Sequence, residues 1–186
     1  WRYADAVVDR SRARLIVVRE DHSVEGQEPV STLVAVSVRG DGTFDAGTVL
    51  VSGADFYSTP RLSADGTRLC WLSWNHPNMP WDSTTLWVAP FNAMAATITG
   101  EPKAISDRVH ADGSQASLVH PSWGPDGSLH VLTDASGWWN LARIDSSGSV
   151  VPLISVEADL HPSVLERLAA PHVPQMGEVK RYRPEG

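Results

Sequence analysis

Short apolar runs closed by turn residues recur along the chain, and no segment up to Ser155 keeps a sustained helical period. Runs of this length rich in Val, Ile, Leu, Trp and Thr suit a pleated, half-buried surface and read as strands. They fall into three groups of four. The first group is Ala4 to Val8, Arg14 to Arg19, Thr32 to Val38 and Thr48 to Ser52. The second is Ser58 to Leu62, Arg68 to Trp74, Thr85 to Pro90 and Lys103 to Ser106. The third is Leu118 to Trp123, Ser128 to Thr133, Asn140 to Ile144 and Val150 to Ile154. Asp65-Gly66 and Asp126-Gly127 supply hairpin turns, because Gly takes positive φ freely and Asp tolerates it.

The groups are copies of one unit. Tyr3 recurs as Tyr57, with Arg14 as Arg68 and Leu15 as Leu69, at an offset of 54; Pro60 recurs as Pro121 at an offset of 61. Asp65-Gly66 recurs as Asp126-Gly127, and Leu69 as Leu129 after a one-residue deletion. A four-stranded unit repeated at this length predicts a β-propeller, in which each blade covers the face that its neighbour leaves bare. The expected architecture is all-β, a partial β-propeller of three antiparallel blades at about 3–53, 57–107 and 118–156. Three blades do not close a ring, which takes about four to eight. The outer blades are therefore expected to present uncovered faces, favouring homo-oligomer formation or pairing with further chain.

The pattern changes near the C-terminus. Residues 1–159 read as the propeller part and 160–186 as a non-propeller tail. Ser163 and Glu166 stand at capping-box spacing, predicting a short helix from Val164 to Ala169 that Pro171 stops. Either the parent sequence leaves the propeller here, or the tail is not continuous with it. The chain opens on Trp1 without an apolar signal region, and reads as a piece of something longer.

Composition narrows the possibilities. The 186 residues are 42% hydrophobic and 20% charged, with a net charge of -7. No basic stripe exists to neutralise phosphates, which argues against a nucleic-acid partner, and no stretch reaches membrane-span length. The single cysteine, Cys70, sits in an apolar run and reads as a buried thiol. A reducing, cytoplasmic compartment fits.

Candidate chemistry lies in the inserts between second and third strands: Glu20 to Ser31, Asn75 to Thr84, and Asp134 to Trp139. Equivalent loops of a propeller emerge on one face, and loops carry recognition on a rigid scaffold. Met79, Trp81, Trp138 and Trp139 would then share a rim with His22 and His76. Two fates compete for these aromatics: docking against another surface, or folding back to cap their own blades. The seven histidines form no pair at metal-binding spacing, so neither a metal nor a cofactor is expected. No Gly-x-Ser-x-Gly elbow and no phosphate-cradling glycine loop occurs, so no catalytic residue is assigned.

The stretches "PRLSADGTRLCWLSW" and "PSWGPDGSLHVLTDASGWWNLARID" resemble the TolB-like propeller repeat. More closely, "WRYADAVVD", "VREDHS", "LVSGADFYSTPRLSADGTRLCWLSWNHPNMPWDSTTLWVA" and "SGWWNL" are similar to the propeller of prolyl oligopeptidase-family serine peptidases, in the acylaminoacyl-peptidase and dipeptidyl-aminopeptidase-like subgroup. That resemblance implies a partner α/β-hydrolase domain with a Ser-Asp-His triad. It also implies a propeller that gates and positions peptide substrate, with acidic groups that hold a substrate's amino terminus. Glu20 and Asp21 are the residues matching that last role; their plain alternative is a solvated acidic loop. A TolB-like binding module, docking a protein through the aromatic rim, is the competing function.

Overall fold

A computed structural model describes residues 1–39, 41–43, 45–105, 110 and 113–165. Three antiparallel sheets follow one another along the chain. The first runs β1 (Arg2–Asp9), β2 (Arg14–Asp21), β3 (Val30–Ser37) and β4 (Thr48–Val51) in sequence order. The second orders β5 (Phe56–Leu62), β6 (Arg68–Trp74) and β7 (Thr85–Asn92). The short β8 (Thr97–Ile98) extends the far end of β7, and β9 (Lys103–Ile105) pairs along β7 as the fourth strand. The third runs β10 (Leu118–Trp123), β11 (Leu129–Thr133), β12 (Asn140–Ile144) and β13 (Val150–Pro152). The partial propeller expected from the sequence is the architecture observed.

Packing follows from strand alternation. Successive side chains of a strand point to opposite faces. In β6, Leu69 and Trp71 face the first sheet with Ile16, Val18, Leu33 and Ala35. Cys70 and Leu72 face the third with Leu118, Trp123, Leu129 and Val131. The middle blade is buried on both sides, which is why β6 reads as an unbroken apolar run. Burial pushes the Cys70 thiol up to about 12, so it packs as a small hydrophobe rather than reacting as a thiolate.

Arginines at equivalent positions tie each blade to the next. Arg14 donates from Nη1 to the Ala93 carbonyl at 2.6 Å. Arg68, its repeat partner, donates to the Gly127 carbonyl at 2.8 Å and lies 4.4 Å over the Trp123 ring. Trp123 in turn donates its indole N–H to the Arg61 carbonyl at 3.0 Å.

Three local expectations are modified. First, β2 runs to Asp21 and β3 starts at Val30, so Glu20 and Asp21 pair with Ser31 and Val30 in the sheet, and the insert shrinks to 22–29. Second, the outer faces are largely covered by the chain itself. Val17, Val34 and Val36 are buried on the first blade. Gly47, at φ +81, lies against them so closely that an added Cβ would stand 2.5 Å from Val36 Cγ1. On the last blade, Leu132 and Leu141 pack with Leu160, Val164 and Leu165 from the segment after β13. That segment is held by Asn140, which bonds Val156 through both its amide groups, and by Leu160 N donating to the Trp139 carbonyl at 2.8 Å. Third, residues 163–165 are helical; the rest of the helix expected to Ala169 lies outside the described residues.

Candidate functional site

The insert between β6 and β7 is braced from within and from the next blade. Met79 N donates to Asp82 Oδ2 at 2.8 Å, and Asp82 N returns a bond to the Met79 carbonyl at 2.9 Å. Ser117 Oγ, just before β10, donates to the Pro80 carbonyl at 2.7 Å. Buried Thr84 donates to the Leu118 carbonyl at 2.5 Å and accepts from Leu118 N at 3.1 Å. The loop therefore bridges the second and third blades, and Pro-broken backbone is satisfied without strand pairing.

This bracing presents its aromatics unequally. Trp81 is 60% exposed, Met79 45% and Trp138 42%, while Trp139 is half-buried. His76 is also exposed and lies against its own blade. Its ring meets Phe56 edge-on at 4.8 Å, and Phe56 stacks on Trp74 at 5.4 Å. Its backbone N–H donates to Asp55 Oδ2 at 2.9 Å.

The first blade holds a separate group. His22 Nε2 lies 2.9 Å from Glu20 Oε2. Asp21 accepts from Ser23 N at 3.0 Å. A hydrogen bond from Trp1, with further bonds from Ser23, lowers the Asp21 carboxyl to about 2. Arg19 lies 4.8 Å over the Trp1 ring. Glu20 and His22 are thus brought together while Asp21 bonds Ser23 and Trp1 instead, and His22 and His76 have different partners on different blades.

One cluster escaped the sequence reading. The first strand of every blade is bulged, with register shifts between Ala4 and Val7, Ser58 and Arg61, and Val119 and Ser122. Each bulge holds a non-glycine residue in the left-handed region: Asp5 at φ 51, Thr59 at φ 46 and His120 at φ 53. These three share one column of the repeat. An extra residue in a strand re-aims its side chain, and such backbone is costly enough that the surroundings must hold it. Strands β1, β5 and β10 are neighbours along the arc, so the column runs along its inner side. Asp5 Oδ2 accepts from Thr59 N at 2.5 Å, and Asp5 Oδ1 lies 3.8 Å from Arg61 Nη1. Partial desolvation first, then the Arg61 charge, pushes the exposed His120 imidazole below its ordinary range. The repeat alignment placed these residues in one column; only the backbone shows why the column matters.

Beside it, between the second and third blades, lies a cavity of about 380 Å³ whose walls include Thr59, Leu72, Trp81, His120, Leu132 and Trp139. Trp81 and Trp139, predicted to share a rim, do share this cavity. Trp138 lines a neighbouring one with Trp139, Asp134 and His110, the last two 3.5 Å apart. Among the described residues, no three His, Cys, Asp or Glu side chains gather as metal ligands, and no helix is long and apolar enough to cross a membrane.

Stacked four-stranded antiparallel sheets with inner-strand bulges define a partial β-propeller. No family model and no curated protein matches the chain, but solved structures do. A puromycin hydrolase variant complexed with PGG is 32% identical, with a TM-score of 0.72, over 84% of this chain and 23% of its own. A puromycin-hydrolyzing peptidase of Mycobacterium tuberculosis is 33% identical, with a TM-score of 0.68, over 84% of this chain and 24% of its own. TolB of Acinetobacter baumannii shares the fold at 17% identity, with a TM-score of 0.51 over 83% of this chain and 32% of its own. The chain is a partial propeller similar to part of these puromycin-hydrolyzing peptidases, of the kind found in prolyl oligopeptidase-family peptidases. It spans 23% of the length of that relative.

Proposed function

We propose that this chain is the non-catalytic propeller portion of a serine peptidase of acylaminoacyl or dipeptidyl-aminopeptidase type. It gates and positions peptides for an α/β-hydrolase domain outside these residues. The observation that carries this reading is the 32% identity to puromycin hydrolase over 84% of the chain.

On this reading residues 1–159 are the propeller part and 160–186 a tail. Glu20 and Asp21 take a peptide's protonated amino terminus. Support comes from their place at the end of β2, beside the loop that leaves the blade after Asp21. His22, His76, Met79, Trp81, Trp138 and Trp139 form the rim that faces substrate or the hydrolase domain, since all leave the arc at the end opposite the Asp-Gly hairpins. The chemistry needs no cofactor from this chain, and a cytoplasmic setting suits the lone buried thiol.

The test uses aminoacyl and peptidyl p-nitroanilides. The chain alone turns over none of them. Joined to the hydrolase sequence of its parent, it yields turnover that a serine-directed inhibitor abolishes, and Glu20→Gln with Asp21→Asn raises KM about tenfold while kcat changes little. Inhibitor-sensitive turnover by the isolated chain, or a parent lacking any Gly-x-Ser-x-Gly elbow, refutes the reading. The second outcome would favour the protein-docking module, to which the exposed Trp81 also lends itself.

A further inference from the structure

We propose that the cavity between the second and third blades is a subsite for one apolar, aromatic-sized peptide side chain, with His120 bonding the adjoining main chain. This rests on the peptide-handling role above and adds a substrate class to it.

Size sets the class of occupant. A volume of about 380 Å³ is at the low end for ligand pockets, about 300–1,000 Å³. It admits a side chain with its flanking amides and excludes a folded partner. The floor is rigid: Leu72 and Leu132 are almost completely buried and belong to two different packed clusters, so the cavity does not collapse. Charged side chains are excluded because that floor offers them no compensating partner.

The mouth is equally fixed. Trp81 stays 60% exposed although its loop is bonded on both sides, through Asp82 and through Ser117. A large ring held open to water by braced backbone leaves apolar area for an incoming group to cover. Trp139 forms the opposite wall; its N–H donates to Asp159 Oδ1 at 3.0 Å, which fixes the backbone that carries it.

His120 supplies direction. Of the three left-handed residues in the inner column, Asp5 and Thr59 bond one another. The His120 ring makes no hydrogen bond among the described residues, yet its backbone is held at φ 53, aiming it at the cavity it lines. The charged groups acting on it are Arg61 and His161, which disfavour protonation, and Asp5, which favours it. A neutral imidazole offers one donor and one acceptor, the pair that a peptide N–H and C=O require.

The experiment follows the indole and imidazole resonances of the isotopically labelled 186-residue chain during titration with N-acetyl-L-phenylalanine methylamide or N-acetylglycine methylamide. Saturable shifts at Trp81, Trp139 and His120 are expected with the first probe, at least about tenfold tighter than any response to the second. Trp81→Ala and His120→Asn each weaken that binding about five- to tenfold; Asn tolerates the left-handed backbone, so the second variant keeps the fold. Equal response to both probes, no saturation, or unchanged binding in both variants overturns the proposal. Turnover by the joined enzyme without selective probe binding sinks the subsite alone. Selective binding without turnover sinks the peptidase reading alone.

Discussion

Gly47 and Ala13 show how much a single backbone angle controls. Gly47 holds φ +81 and leaves no room beside Val36. Gly47→Ala combines a disfavoured angle with a clash, and is expected to cost about 1–3 kcal/mol in urea denaturation; an unchanged midpoint would show that the 45–47 segment does not cover the valines. Ala13 has φ 46 at the end of the Arg10–Arg12 3-10 turn. Ala13→Gly relieves that angle without removing a buried contact, and a gain of about 0.5–1 kcal/mol is expected in the same assay. Asp65 marks the electrostatic side of the turns. Its oxygens accept from Ser63 Oγ at 2.6 Å and from Thr67 N at 3.1 Å, and these bonds hold its carboxyl at about 2.

At the scale of the strand, β6 carries the most. Trp71 is fully buried and stacks on Trp87 at 6.3 Å. Trp71→Ala is expected to lose about 3–5 kcal/mol, read as a shift in the denaturation midpoint. The arginine links make a paired prediction. Arg68→Met removes both a carbonyl bond and a ring contact, costing about 1–3 kcal/mol. Arg14→Met removes bonds to carbonyls without a ring beneath it among the described residues, and costs less. The reverse order would mean that the Trp123 stack is not stabilising. Strand positions were largely legible because β6 and β11 announce themselves by length and turn signals. The misplaced boundary at Glu20 and Asp21 has a plain cause: acidic residues look like loop, yet the register of β2 against β3 extends through them.

For the molecule as a whole, acid stability follows from the turn aspartates. Asp41, Asp65, Asp126 and Asp145 have carboxyls lowered by local hydrogen bonds, and Asp21, at the end of β2, has one lowered first by a bond from Trp1. A depressed folded pKa contributes stability above the unfolded value, near 3.9, and loses it as pH falls toward the folded one. Thermal melting is therefore expected to be flat above about pH 5 and to fall between about pH 4 and 2. Asp65→Asn should flatten part of that fall, and an identical acid profile would disprove the assignment. Truncation after Pro152 exposes Leu132 and Leu141, now covered by Leu160 and Leu165. The shortened chain should associate on size-exclusion chromatography where the full chain does not.

The sequence by itself determined the number of blades and most strand positions, because these are carried by local patterns and by repetition at a fixed offset, while the likeness to peptidase propellers lay in the resemblance of longer stretches such as residues 50–89. Only the tertiary structure decided which residues form the candidate site. Asp5, Thr59 and His120 stand 54 and 61 residues apart in sequence, and nothing local marks their left-handed backbone. Trp81 and Trp139 line one cavity only because the loop of one blade is bonded to the inner strand of the next. Distances across blades are set by how sheets stack, a property that no single strand contains.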